Sequence, residues 1–353
     1  ELSGLPQEAS RLAVNLARAR VGDIGCNAIA EALTVSAGTL EGLTLGLPSN
    51  QISGDGISTI AAAMAEAQSL REVCFDFMGN RLSMSGCRQL GDALGGLIRL
   101  TNVSLNLREC GVGSEGAAAT LGPLSMLPSL HSLVLDLECS DVALTGLETL
   151  RNCSVLTDLK VNLARNQIGT AGCKQLGVAL SGCVQLRAVA LGMWFNRISP
   201  AGCKELAKGI SKCDSLRRVE LDLASNAIGA GGCREVLSFL PSTPQVTSLT
   251  LSVASNEIAK GGGRALGEAI AKGTALTEVS LALGGNSFGD DGARDLGQGL
   301  TADSLATLRY VVLRLGTDAS MTPAGLRTLA ALFAGWTPSR SGNAKGEVRE
   351  WRR

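Results

Sequence analysis

Apolar residues recur along this chain in two alternating rhythms. In LTDLKVNLARNQI, Leu156 to Ile168, Leu159, Val161 and Leu163 fall on every second position, with Asp158, Lys160, Asn162 and Ala164 between them. Period two marks a strand with one buried face. The next residues switch to helical spacing. Cys173, Leu176, Leu180 and Cys183 stand three, four and three apart, on one helical stripe. The same stripe returns as Cys203, Leu206, Ile210 and Cys213. The pattern predicts a strand, a turn and a helix that share one apolar interior.

That unit is repeated. LRAVALGMWFNRI, LRRVELDLASNAI, VTSLTLSVASNEI and LTEVSLALGGNSF begin at Leu186, Leu216, Val246 and Leu276, a spacing of 30. LEGLTLGLPSNQI at Leu40 and LREVCFDFMGNRL at Leu70 match as well, and the copies at Leu100 and Leu130 are looser. ASRLAVNLARARV at the start and LRYVVLRLGTDAS at Leu308 are degenerate ends, which brings the count to eleven units. One strand–helix unit cannot bury its own apolar side, so neighbours must stack into a continuous core.

The consensus, L-x-x-L-x-L-x-L-x-x-N-x-I followed by a glycine and helical leucines, resembles the leucine-rich repeat family, in its ribonuclease-inhibitor-like intracellular class. It departs from the usual L-x-x-L-x-L-x-x-N by two added residues, as in a 30-residue long-strand variant, which implies a broader sheet. The resemblance implies an α/β solenoid, a horseshoe with parallel strands on the concave face and helices on the convex face. The repeat domain is expected over residues 1–335, with a basic, tryptophan-containing tail over 336–353. Neither end shows a separate capping module, and the first strand would present an open edge. The resemblance also implies that Asn50, Asn80, Asn166, Asn196, Asn226, Asn256 and Asn286 form an asparagine ladder, weakened where Cys110, Ser140 and Asp318 stand in that column.

Composition narrows the chemistry. Lys plus Arg equals Asp plus Glu at 32 each, which gives no general attraction to nucleic acid or anionic membrane. No apolar run approaches the 18 or so residues of a membrane span. The eleven cysteines include no C-x-x-C pair and fall into columns at helix starts and helix ends. Cysteines ten apart on one helix are about 15 Å from each other, and equivalent positions on adjacent helices about 10 Å, beyond disulfide reach. They read as small core residues and reduced thiols. The compartment is then intracellular and reducing, with the cytoplasm first and an organelle or cilium as alternatives. His131, the single histidine, is expected at a solvated strand end, and KGGGRALG at Lys260 lacks the spacing of a nucleotide loop. No cofactor, metal, small-molecule substrate or catalytic group is expected.

Function is therefore sought on the outward strand positions. These bring together Glu72, Asp76, Asn106, Arg108, Asp136, Glu138, Asp158, Lys160, Asn162, Trp194, Arg218, Glu220 and Asp222. Stacked carboxylates repel, so a protein partner with a basic contact surface would suit them, and Trp194 could anchor it. A merely solvated face is the alternative. Two other contact surfaces remain open. One is a notch where Pro123 and Pro128 should shorten the fourth helix and SDVALTGLETLRNC is four residues short. The other is the tail, with Trp336 and Trp351, which either caps the last repeat or lies on a partner. The resulting expectation is a non-catalytic scaffold, a subunit or adaptor of a larger assembly. The alternative is a GTPase regulator: LGGNSFG at Leu283 to Gly289 resembles a segment of the Ran GTPase-activating protein, although it also fits the generic repeat.

Overall fold

The computed structural model describes residues 10–143, 146–316, 321–339 and 347–353. It divides into two compact units. Unit 1 holds the described residues up to Gln167 together with Gly182–Val184, and unit 2 holds Ile168–Ser181 and the chain from Gln185 onward.

Unit 1 alternates β1 (Arg11–Asn15), α1 (Gly22–Ser36), β2 (Gly42–Gly46), α2 (Gly54–Met64), β3 (Glu72–Asp76), α3 (Met84–Gly96), β4 (Asn102–Asn106), α4 (Gly113–Leu124), β5 (Ser132–Asp136) and β6 (Asp158–Asn162). Each strand pairs in parallel with the next, and equivalent residues stand side by side. The inward apolar residues therefore form rows, and the strand positions and the added third one are buried in every repeat except at Leu16 of the first, which is 37% exposed. That third position follows the strand's last residue, yet its amide continues the ladder: Leu47 N donates to Asp76 O at 2.8 Å and Phe77 N to Asn106 O at 2.9 Å. The two added residues of the consensus thus lengthen the sheet by one more hydrogen-bonded row.

Unit 2 contains α5 (Gly169–Gly182), β7 (Ala188–Gly192), α6 (Pro200–Ile210), β8 (Arg218–Asp222), α7 (Gly229–Val236), β9 (Ser248–Ser252), α8 (Ala259–Ile270), β10 (Glu278–Ala282), α9 (Gly289–Gly299), α10 (Ala302–Thr307), β11 (Tyr310–Gly316) and α11 (Pro323–Leu332). Its helices are closely spaced because glycines face one another. A Cβ on Gly209 of α6 would lie 2.2 Å from the Gly177 carbonyl oxygen of α5, so only hydrogen fits there.

Two devices start the helices. Ser53, Ser83, Ser199 and Thr322 sit in extended backbone and accept an amide from the first turn, the usual N-cap geometry. Elsewhere Gly22, Gly113, Gly169, Gly229 and Gly289 begin the helix at φ between 52° and 64°, the left-handed region that glycine adopts without strain.

The asparagine column is a buried ladder. Asn80 Oδ1 accepts the amides of Asn50 and Ile52, each at 3.0 Å, and its Nδ2 donates to Leu47 O and Phe77 O at 2.8 Å. Cys110 and Ser140 keep the donor half of this rung: Sγ donates to Phe77 O at 3.0 Å and Oγ to Leu107 O at 2.8 Å. Asp318 lies outside the described residues.

Two expectations need correction. Pro123 does not shorten the fourth helix, since α4 runs twelve residues with Pro123 inside its last turn. A proline there removes a single amide at a fraying end, and its ring fills the space left by Gly95, whose added Cβ would meet it at 2.4 Å. The short unit that follows keeps only a 3-10 turn, Glu148–Asn152, where its neighbours have a helix. Leu144 and Thr145 of that notch lie outside the described residues. The second correction concerns the end of the repeat, where no separate capping module was expected. The tail folds back as β12 (Thr337–Ser339) and β13 (Glu347–Arg352), and β13 pairs antiparallel with β11. It caps the last strand.

Candidate functional site

The outward residues of unit 1 lie in columns because the strands are in register. The second column, Ala13, Thr44, Cys74, Ser104 and Val134, is small throughout. Bulk stands on either side, so the small column becomes the floor of a groove of about 390 Å³. One wall is an ion pair that reaches across a strand. Arg11 on β1 meets Glu72 on β3 at 2.8 Å by passing over Gly42 of β2, whose missing side chain leaves the path open.

Beyond the groove on the same strands stands the third column: Asp76, Asn106, Asp136 and Asn162. Each uses its Oδ1 to accept the amide two residues on, at 3.1, 3.1, 2.9 and 3.1 Å, and Asp222 in unit 2 does the same to Ala224 at 3.1 Å. This is an Asx turn, which a short polar side chain makes with its own backbone. The repeat therefore prescribes these residues to a degree that the sequence did not reveal. The signal was present, since Asp or Asn recurs at one fixed distance before the ladder asparagine. Acid and amide also alternate in register, Asp76 beside Asn106, Asn106 beside Asp136 and Asp136 beside Asn162. No carboxylate of that row faces another directly, so the expected repulsion is relieved inside the chain.

Next to this row the charges are interlocked. Arg108 Nη1 meets Glu138 at 3.0 Å and Nε meets Glu109 at 3.1 Å. Asn162 Nδ2 donates to Asp136 at 3.1 Å and to Glu138 at 3.3 Å. The hydrogen bond to Glu109, and then the charge of Glu138, push the Arg108 guanidinium above its ordinary pKa. Lys160 is exposed with Val134 as its register neighbour, and Thr157 Oγ1 donates to Asp158 at 2.7 Å.

Unit 2 presents a different strand face. Arg218 and Glu220 are exposed, Asp222 is half-buried, and no ion pair among the described residues involves them. The half-buried Trp194 stacks on Phe195 with ring centroids 5.9 Å apart. Phe195 was not foreseen. It is 62% exposed and has φ 57°, a left-handed backbone that costs a side-chain-bearing residue about 1–2 kcal/mol. Ser225, Ser255 and Gly285 occupy the same position in the repeats that follow. A phenylalanine just before the ladder Asn196 was the available signal.

The tail tryptophans do not face outward. Trp351 is 5% exposed and lies 4.7 Å from the Phe333 ring, and Trp336 meets that ring edge-on at 5.4 Å. Trp351 is thus packed within the chain, whereas Trp336 stays half-buried. His131 is exposed, with Nδ1 2.6 Å from Ser129 O. LGGNSFG is repeat geometry: Asn286 is a ladder rung, Phe288 is buried and Gly289 starts α9.

All eleven cysteines are free, and only Cys74 and Cys139 are exposed. Burial pushes the Cys26 and Cys153 thiols up to about 11, and Cys110, Cys173, Cys213 and Cys233 to about 12. These side chains are packing groups. Among the described residues no group of three His, Cys, Asp or Glu is placed to hold a metal ion, and no helix is long and apolar enough to cross a membrane.

A family model described as "Leucine Rich repeat" matches residues 103–119. No curated protein matches the chain. Among solved structures, an internalin (InlF) from Listeria monocytogenes aligns over 93% of this chain and 90% of its own, at 18% identity and a TM-score of 0.48. The leucine-rich repeat-containing protein LegL7 from Legionella pneumophila aligns over 86% and 94%, at 17% identity and a TM-score of 0.42.

Proposed function

The chain is a leucine-rich-repeat protein, and on that footing we propose that it is a non-catalytic scaffold, a subunit or adaptor that binds another protein on the strand face of unit 1. The groove beside the Arg11–Glu72 pair carries this reading. Its floor is made of positions that the core does not prescribe, and they are small in every strand it crosses. Recognition there would rest on side chains entering a shallow trough bordered on one side by the Arg11–Glu72 ion pair. The partner need not be basic, because Asp136 and Glu138 already have Asn162 and Arg108 beside them. The raised, buried thiols suit a reducing compartment.

A photo-crosslinking residue at Ser104, on the groove floor, is the test, with the same group at the exposed Lys174 of α5 as its control. In extract of the native cells, protein adducts are expected from position 104 and not from 174. Val134→Arg, which fills the groove, should remove them. Adducts from 174 alone, or adducts that survive Val134→Arg, would refute this site.

A further inference from the structure

We propose that the strand face of unit 2 beside Trp194 and Phe195 seats an extended segment of a protein partner that carries lysine or arginine. This rests on the scaffold reading and assigns it a second contact of defined chemistry.

Three observations converge. First, Phe195 stays 62% exposed at a turn position that the repeat holds left-handed throughout and that Arg165, Ser225, Ser255 and Gly285 fill without an exposed ring. A ring left in solvent there adds nothing to the core, and aromatic residues are the usual anchors of interfaces. Second, the surface next to it is empty of side-chain bulk. Trp194 is followed across the strands by Ala224, Ala254 and Gly284, and Gly192 by Asp222, Ser252 and Ala282. From Trp194 to Gly284 this shelf crosses three strand spacings of about 4.8 Å each, room for roughly four extended residues at about 3.3 Å apiece. Third, the shelf carries two carboxylates without an ion-pair partner among the described residues. Glu220 has Ala190 and Thr250 as register neighbours, Asp222 has Gly192 and Ser252, and neither makes an ion pair among the described residues. Arg218 stands at the far end of β8, and Arg314 on β11 donates to Ser280 at 2.6 Å. An apolar side chain of the segment would dock on the Trp194–Phe195 pair, and a cationic one would meet Glu220 and Asp222.

The probe is a short fluorescent peptide alternating leucine and lysine, with a leucine–glutamate peptide as its counterpart, titrated with the intact chain by anisotropy. The lysine peptide is expected to bind and the glutamate peptide to bind at least about tenfold more weakly. Phe195→Ser, the residue that Ser225 and Ser255 already place in this conformation, should weaken binding about tenfold or more while the melting temperature holds or rises. The pair Glu220→Gln with Asp222→Asn keeps the Asx turn, removes both charges, and should abolish the salt dependence of binding. Val134→Arg in unit 1 should change nothing, which separates this site from the groove. Equal binding of the two peptides, wild-type affinity in Phe195→Ser, or loss of binding in Val134→Arg would overturn the assignment.

Discussion

The two units use the same interior and opposite exteriors. In unit 1 the outward residues are bonded to one another: Arg11 to Glu72, Arg108 to Glu138, and Asn162 to Asp136 and Glu138. In unit 2 alanine, serine and glycine are the commonest residues of the corresponding columns, and the charges on β8 make no ion pair among the described residues, beside a half-buried Trp194 and an exposed Phe195. A repeat constrains what it buries, so the cores converge. It leaves the outward columns to whatever each unit meets, and there the units part.

The shared interior should fail in both units under one perturbation, the largest expected. Burial raises the thiol pKa of Cys26, Cys110 and Cys153 in unit 1 and of Cys173, Cys213 and Cys233 in unit 2 to about 11 or 12, against an ordinary 9.0. The unfolded chain therefore loses these protons first as pH rises. Stability is complete below about pH 9 and falls between pH 9 and the folded values, by up to about 1.4 kcal/mol per unit for each thiol. Several thiols together approach the whole stability of a typical domain, about 5–15 kcal/mol. Denaturant melts in reductant at pH 8, 9 and 10 should show this decline. At pH 8 a chromogenic thiol reagent should find only Cys74 and Cys139 reactive in the folded chain.

The second effect belongs to unit 2 alone. Trp351→Ala removes the ring packed on Phe333 and loosens β13 from β11, at a cost of about 3–5 kcal/mol. Chemical denaturation measures it. A cost under about 1 kcal/mol would show that the tail rests on the last strand without capping it.

The ladder then tests whether the interiors are equivalent. Asn80→Ala in unit 1 and Asn256→Ala in unit 2 each strip hydrogen bonds from buried backbone groups. Both should cost about 2–4 kcal/mol, since an orphaned buried group costs about 1–3 kcal/mol and neighbouring losses do not simply add. Unequal costs would mean that the repeat is less uniform in energy than in geometry.

What could be read in the sequence follows the same division. Leu159, Val161, Leu163 and the Cys173–Leu176–Leu180 stripe were legible because burial imposes a period on them. Asn166 was legible through the resemblance that its column carries. Outward residues have no period of their own, so Asp76 and Asn162 looked like free surface when their side chains in fact close turns. Trp351 was illegible for another reason: β13 runs against the direction of every strand it follows, and no repeat encodes it. Pro123 misled because a helix breaker was weighed without knowing that Gly95 makes room for its ring.

The smallest expected effect tests the exteriors themselves. Arg108→Ala deprives Glu138, whose side chain is 13% exposed, of its cation and leaves it beside Asp136. The cost should be about 1 kcal/mol at low salt and should shrink in high salt, because Arg108 itself is 37% exposed and its pairing is partly screened. Arg218→Ala in unit 2 removes a side chain with no ion-pair partner among the described residues, so its effect on stability should stay within about 0.5 kcal/mol. A cycle pairing Arg108→Ala with Glu138→Gln isolates the contact from the loss of aliphatic packing. If the coupling is near zero, the outward side chains of unit 1 are as unconstrained in energy as those of unit 2, and only their geometry differs. If it is near 1 kcal/mol, unit 1 meets its partner with charges already held in place, whereas the acids of unit 2 remain available to a cation from outside.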